Sequence, residues 1–315
     1  MRNFLNLVPS ASQYFSSRRD EKAAPLRWRS PRRGGLRQRA IVFGCNCGQS
    51  IAQMLLCLTV VSAGVLHQGA ARAIGAIGAT PQTIAQTPEN APAPLTKLLT
   101  EIDAAANRRD VKAVMAFYSP NFTHSDGLNT QSMAKALTQL WERYPSLNYR
   151  TDIKSWKTEG SAILAETITT IAGTQKKDGR ELTLKATIRS QQRFEGEKIV
   201  NQEILAEQTQ LSSGQNPPTI QVNLPEQVKV GQEYHFDAIV REPIGDDILI
   251  GSVLEEPITE KTFFNPSEVE LELLNTGGIF KVGKAPATPE NRWVSAVLMR
   301  QGGIATVSVR LRVVK

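Results

Sequence analysis

The chain has 315 residues, which is enough for two domains with cores of their own. Its formal net charge of +7 suggests an anionic partner, but 11 of its 37 Lys and Arg residues lie within 1–73, beside only two acidic residues. Residues 74–315 therefore hold 26 basic and 28 acidic residues, which excludes a charge-based case for nucleic-acid binding.

The three cysteines all lie in the same leader, at Cys45, Cys47 and Cys57. Residues 74–315 therefore offer no disulfide, thiolate nucleophile or Cys-ligated metal. Their acidic pairs lack the spacing of a calcium loop. We predict no metal site and no cofactor.

The leader has the order of a secretory signal. The apolar segment "MLLCLTVVSAGVL" (54–66) is 13 residues long, shorter than the roughly 20 of a membrane-spanning helix. It follows an Arg-rich stretch and precedes Ala71 and Ala73 in A-x-A spacing. We predict a signal peptide with a long basic n-region over 1–73, and export to the periplasm or another extracytoplasmic space. The alternative is an uncleaved N-terminal helix that anchors the protein.

A Pro/Ala-rich linker is predicted over 74–94, and a folded domain over 95–211. Leu95, Leu98, Leu99 and Ile102 stand at helical spacing. A second helix is predicted over "VKAVMAFY" with Asp110 as its N-cap, and a third over "TQSMAKALTQLWERY" with Thr130 as its N-cap.

Strand patterns follow Pro145. The segments "LNYRTDIKSWK", "SAILAETITTIAGT", "ELTLKATIRSQQRF" and "IVNQEILAEQTQL" predict four long antiparallel strands. Asp178-Gly179 predicts a hairpin turn between the second and third of them. The predicted order is helix, helix, short strand, helix and four strands.

This order, with "RRDVKAVMAFYSPNFTHSDG" and "RFEGEKIVNQEI", resembles the nuclear transport factor 2-like superfamily, in particular its SnoaL-like branch. The resemblance implies an α+β cone, in which three helices pack in a curved antiparallel sheet with a pocket at the open end. Members of the superfamily include polyketide cyclases, isomerases, dehydratases and domains that only bind or dimerise.

Two interpretations of "FYSPNFTHSDG" (117–127) remain open. The resemblance implies an Asp, or an Asp with a His, as proton-transfer groups inside the cone, and this makes His124 and Asp126 the catalytic candidates. The expected pocket-lining residues are Tyr118, Phe122, Trp141, Trp156 and Glu203. The competing interpretation, which we favour, is the start of a hairpin in which Asp126 only bonds the turn backbone.

A second linker is predicted over 212–217, and an all-β domain over 218–315. "VKVGQEYHFDAIV" alternates apolar and polar residues, and several short strands recur at intervals of about 8–12 residues. The pattern resembles the immunoglobulin-like modules of bacterial exported proteins. We therefore predict a C-terminal immunoglobulin-like β-sandwich.

The sequence favours an exported, non-catalytic binding or assembly protein. The cone would hold a small apolar ligand or form a homodimer through its sheet, and the sandwich would dock an envelope protein. The alternative is a SnoaL-like isomerase, cyclase or dehydratase that uses His124 and Asp126. A third hypothesis is a structural envelope protein in which the cone is only a dimer interface.

Overall fold

The computed structural model describes residues 88–177, 179–265, 267 and 269–315. The predicted signal peptide or N-terminal anchor, and residues 74–87 of the predicted linker, lie outside the described residues. Within the described ranges, no helix is both long and apolar enough to cross a bilayer.

Three helices come first along the described chain, after a 3₁₀ turn at Pro88–Asn90. They are α1 (Ala93–Asn107), α2 (Val111–Met115) and α3 (Thr130–Arg143). α1 begins two residues inside the predicted linker, because Pro92 and Pro94 suit the first turn of a helix, where no backbone donor is needed.

The helix caps agree with the sequence in one case and differ in another. The Asp110 carboxylate accepts a hydrogen bond from the Ala113 amide at 2.9 Å, which confirms the predicted N-cap of α2. The N-cap of α3 is Asn129 rather than Thr130, because Asn129 and Ser132 form a reciprocal capping box. α2 is also shorter than predicted.

The strands follow the predicted order through the N-terminal region. They are β1 (Tyr118–His124), β2 (Ser146–Glu159), β3 (Ala162–Lys177), β4 (Arg180–Glu195) and β5 (Lys198–Gly214). β2 to β5 pair antiparallel in sequence order, as predicted. Lys177 lies opposite Arg180, and Gly179 has φ 73°, so β3 and β4 form a hairpin at the predicted place.

β1 differs from the hairpin interpretation. It pairs parallel with β5 instead of folding back on a neighbouring strand, and the chain then enters α3. The predicted turn does form, since the Gly127 amide donates to the His124 carbonyl at 3.0 Å and Gly127 has φ 76°. The turn therefore links a parallel strand to a helix.

The C-terminal region is built mainly of strands. They are β6 (Ile220–Asn223), β7 (Gln227–Lys229), β8 (Glu233–Val240), β9 (Leu249–Pro257), β10 (Glu272–Leu274), β11 (Gly278–Lys284), β12 (Glu290–Arg300) and β13 (Gly303–Val314). A short helix, α4 (Glu260–Phe264), follows β9. In the described part of the chain, ten strands form one sheet and three form another.

The large sheet runs through both regions. β13 pairs antiparallel with β5, from Gly303 opposite Gly214 to Val309 opposite Gln208. The predicted linker over 212–217 is therefore too long, because Ser212–Gly214 complete β5 and gain ladder hydrogen bonds to β13. The two regions share one hydrogen-bonded sheet.

The C-terminal core lies between the small sheet, in the order β11-β8-β6, and strands of the large sheet. Phe236 and Ala238 of β8 and Val294, Ala296 and Leu298 of β12 are all fully buried there. This packing of two sheets explains the alternation in β8. The immunoglobulin-like class of the region remains a prediction.

The N-terminal region is an α+β fold with few helices and a large antiparallel sheet. Its apolar side chains form two clusters between the helices and β1–β5. Trp141 and Tyr144 of α3 belong to one cluster, and Leu95 and Leu98 of α1 belong to the other. The strand pairs β2–β3 and β4–β5 contain register shifts, which increase local twist and bending.

Candidate functional site

A cavity lies between the helices and the sheet of the N-terminal region. Its volume is about 180 Å³, slightly larger than the ~150 Å³ engineered cavity that binds benzene. The apolar part of its wall includes Leu99, Ile102, Leu137, Leu140, Ile171 and Ile188. Phe263 of α4 and Arg310 of β13 also line it, so the C-terminal region contributes to the wall.

His124 ends β1 and lines the cavity with a side chain that is 5% exposed. Its Nδ1 accepts a hydrogen bond from the Asp126 amide at 3.1 Å. Burial lowers the pKa of His124 to about 4. The charge of Asp126 acts to raise this pKa, and the charge of Arg310 acts to lower it. The ring is therefore neutral at pH 7, and its proton lies on Nε2.

Asp126 lies in the turn and points to β13. Its Oδ1 and Oδ2 accept hydrogen bonds from Nη1 and Nη2 of Arg310, at 2.8 and 2.7 Å. Oδ1 is also 3.3 Å from the Asn291 amide nitrogen and from the Ser125 hydroxyl. Both carboxylate oxygens are thus held in a bidentate, charge-assisted pair.

Arg310 joins a second carboxylate. Its Nη2 lies 3.1 Å from Oε2 of Glu207 on β5, and the Trp293 indole N–H donates to the same oxygen at 3.3 Å. Burial opposes the charge on Arg310, but its hydrogen bonds and charge interactions with Asp126 and Glu207 raise its pKa. The three charged side chains are at most 5% exposed, so this ion cluster is shielded from bulk solvent.

Gln192 and Gln202 add neutral polar groups to the cavity wall. Gln192 on β4 lies directly opposite Gln202 on β5, and Gln202 lies opposite His124 on β1. The three side chains therefore form a row across adjacent strands, which we call the polar row. All three residues line the cavity.

The structure brings some of the predicted site residues together and separates others. Tyr118, His124 and Asp126 line the cavity. Phe122 and Trp156 lie in the apolar cluster with Phe194. The catalytic and pocket-lining roles of the predicted site residues remain predictions.

Trp141 and Glu203 also lie away from the cavity wall. Trp141 is buried in the other cluster and donates from its indole nitrogen to the Tyr149 hydroxyl at 2.9 Å. Gln202 and Ile204 face the cavity, so Glu203 between them faces the other side of the strand. There it accepts a hydrogen bond from Arg312 at 2.6 Å.

Sequence reasoning missed Arg310, Gln192 and Gln202 as site residues. Arg310 stands in the apolar run "VSVRLRVV", where a charge in a strand signals a buried partner, but the partner lies 184 positions earlier. The two glutamines carry no distinctive spacing. Their common position depends on strand register, which the sequence alone did not specify.

A family comparison identifies the region around the cavity. The model of the SnoaL-like domain matches residues 99–202. Residues 99–202 form a SnoaL-like domain. The model of a domain of unknown function (DUF8623) matches residues 215–314, and no curated protein matches the chain.

Solved structures are similar to about a third of the chain. Bd1075 of Bdellovibrio bacteriovorus is 17% identical over 35% of this chain and 39% of its own, with a TM-score of 0.27. The match thus spans less than half of that protein. A cystatin-fold protein of Novosphingobium aromaticivorans is 18% identical over 34% of this chain and 94% of its own, with a TM-score of 0.27.

A third similar structure is a putative SnoaL-like polyketide cyclase of Shewanella putrefaciens. It is 14% identical over 36% of this chain and 89% of its own, with a TM-score of 0.28. Likenesses at this level carry no argument about the chemistry of the SnoaL-like domain.

Proposed function

We propose that the SnoaL-like domain binds a small, largely apolar ligand in its cavity and does not convert it chemically. The observation that supports this most strongly is the bidentate pair between Arg310 and Asp126. A general base needs a lone pair that is available to a substrate proton near neutral pH. Both oxygens of Asp126 already accept hydrogen bonds from a guanidinium.

His124 supports the same proposal. Its Nδ1 accepts a hydrogen bond from the Asp126 amide, and its pKa of about 4 keeps the ring neutral. The remaining ring nitrogen then carries a proton and can donate a hydrogen bond to a ligand. A donor of this kind suits recognition better than proton abstraction.

The alternative function is a SnoaL-like isomerase, cyclase or dehydratase that uses His124 and Asp126 as acid–base groups. It requires Asp126 to leave Arg310 during the reaction, which would leave buried charges without their main partner. We therefore retain it as the second hypothesis.

The binding function is tested by a variant that fills the cavity. Ala136 of α3 lines the cavity, whereas Ala134 lies on the same helix outside its wall. We expect wild type to bind ethylbenzene in a calorimetric or NMR titration, Ala136→Phe to lose that binding, and Ala134→Phe to retain it. Equal binding by both variants would contradict a site in this cavity.

Sequence features alone support two further proposals about the cellular context. We propose that the protein is exported by its leader. We also propose that the C-terminal region docks an envelope partner, or that the chain forms a homodimer through the cone sheet. N-terminal sequencing of the exported protein is expected to begin at Ile74. An intact N-terminus in the membrane fraction would instead support the anchored alternative.

A further inference from the structure

The polar row brings three neutral hydrogen-bonding side chains to one part of the cavity. His124, Gln202 and Gln192 are cross-strand neighbours on β1, β5 and β4. Directly opposite residues on paired strands share a face of the sheet. The row is therefore fixed by the backbone ladder rather than by mobile loops.

Both glutamines have unsatisfied atoms. The Oε1 atoms of Gln192 and Gln202 are buried and have no hydrogen-bond partner in the structure. Gln192 is only 7% exposed as a whole residue. A buried acceptor without a donor is unfavourable, so each such group in a folded protein calls for an explanation.

His124 supplies the complementary group. Its Nδ1 is satisfied by the Asp126 amide, and no described residue accepts a hydrogen bond from its Nε2–H. The row thus offers two acceptors and a ring donor, together with the amide N–H groups of the glutamines. A group that both donates and accepts matches this set.

The surroundings of the polar row disfavour a charged group on the ligand. The positive charge of Arg310 is already engaged by Asp126 and Glu207, which lie on the same cavity wall. An anion would approach these carboxylates, and the row itself contributes only neutral dipoles. Transfer of an uncompensated charge into such a cavity is costly.

We propose that the polar row recognises an uncharged hydroxyl group on a small apolar ligand, so that the cavity selects alcohols over hydrocarbons of the same shape. This inference rests on the proposed binding function and adds the ligand class. The hydroxyl hydrogen would satisfy a glutamine Oε1, and its oxygen would accept from His124 or a glutamine amide. The cavity volume of about 180 Å³ limits the apolar part to about the size of a single ring.

The test compares benzyl alcohol with ethylbenzene, which have the same shape and differ in the hydroxyl. Dissociation constants are measured by titration with wild type, Gln192→Leu, Gln202→Leu and the control Gln208→Leu. Gln208 lies on β5 but is exposed and away from the cavity wall. Two row variants on different strands are used so that one remains for the test if the other fails to fold.

We expect each row variant to reduce the preference for benzyl alcohol over ethylbenzene about three- to tenfold, the range of one neutral hydrogen bond. Gln208→Leu should leave the preference unchanged, and wild type should bind benzoate and benzylammonium more weakly than benzyl alcohol. If wild type binds ethylbenzene but the row variants keep its preference, the inference is overturned and the proposed function stands. If wild type binds neither neutral probe, both are overturned.

Discussion

The N-terminal and C-terminal regions cover the shared sheet in different ways. In the C-terminal region a second sheet packs on it, and side chains such as Phe236, Val294 and Leu298 are fully buried between the two layers. In the N-terminal region helices cover the sheet, and a cavity of about 180 Å³ remains between them. The cavity therefore lies where helices, rather than a second sheet, cover the shared sheet.

The two regions nevertheless meet at the cavity wall. β13 pairs with β5 and carries Arg310 to Asp126 and Glu207. The C-terminal region thus supplies the cation that pairs with two carboxylates of the N-terminal region. Substitutions in the ion cluster should therefore change the free energy of unfolding more than substitutions elsewhere in the two regions.

Replacement of this cation should have the largest effect. Arg310→Met leaves Asp126 and Glu207 buried without the guanidinium, and we expect it to lower the free energy of unfolding by about 3–5 kcal/mol. The matched control is Arg312→Met, two residues along the same strand. Its pair with Glu203 is 25% and 42% exposed, so a change below about 1 kcal/mol is expected.

Urea unfolding of both variants measures this difference. Equal effects of the two substitutions would show that the buried cluster does not hold the two regions together.

Protonation of His124 should have the next largest effect. Its pKa is about 4 in the folded protein, against about 6.5 when unfolded, so between these pH values the unfolded chain binds more protons. Stability is therefore fully present above pH 6.5 and falls by about 3 kcal/mol as the pH drops toward 4.

His124→Asn should remove this loss of stability at low pH. His235→Asn, at an exposed position on β8, should retain the loss. The measurement is urea unfolding at pH 7 and pH 4.5. The same pH dependence in wild type and His124→Asn would contradict a buried, neutral histidine.

Truncation of a leucine should distinguish the two cores by a smaller amount. Leu298 is fully buried between the sheets, and Leu128 is 3% exposed but borders the cavity. A side chain beside a cavity loses fewer van der Waals contacts when it is removed. We expect Leu298→Ala to cost about 3–5 kcal/mol and Leu128→Ala about 2–3 kcal/mol in unfolding experiments. A larger cost for Leu128→Ala than for Leu298→Ala would contradict the tighter packing of the C-terminal core.

The smallest effect concerns the cap of α3, the helix that carries Leu137 and Leu140 over the cavity. Asn129→Ala removes the acceptor of the Gln131 and Ser132 amides and should cost about 1 kcal/mol. Asn129→Asp, which keeps an acceptor, serves as the control. A loss as large in Asn129→Asp as in Asn129→Ala would show that the cap is not the cause.

Much of the fold follows from the sequence, because helical spacing, strand alternation and the Asp178-Gly179 turn are local signals. The pairing of β5 with β13 joins residues about 100 positions apart, and no local pattern encodes such a contact. The same limit applies to the site. His124 and Asp126 were found as a pair, but the partner that holds Asp126 comes from the last strand.

The prediction of a hairpin at Phe117–Gly127 illustrates this limit. Asp-Gly correctly indicated the turn, but the turn leads from a parallel strand into a helix. The Asp126 carboxylate accepts its hydrogen bonds from side chains instead of only bonding the turn backbone, because β13 brings a guanidinium within 2.8 Å of each of its oxygens.

A methyl-resolved NMR titration of the protein with ethylbenzene is the decisive test of a ligand site in the SnoaL-like domain. Binding in the cavity predicts saturable shifts of Leu128, Leu137 and Ile171 in wild type and their loss in Ala136→Phe. Shifts confined to the C-terminal core around Val294 and Leu298, or no saturable shift at all, would contradict a ligand site in the SnoaL-like domain.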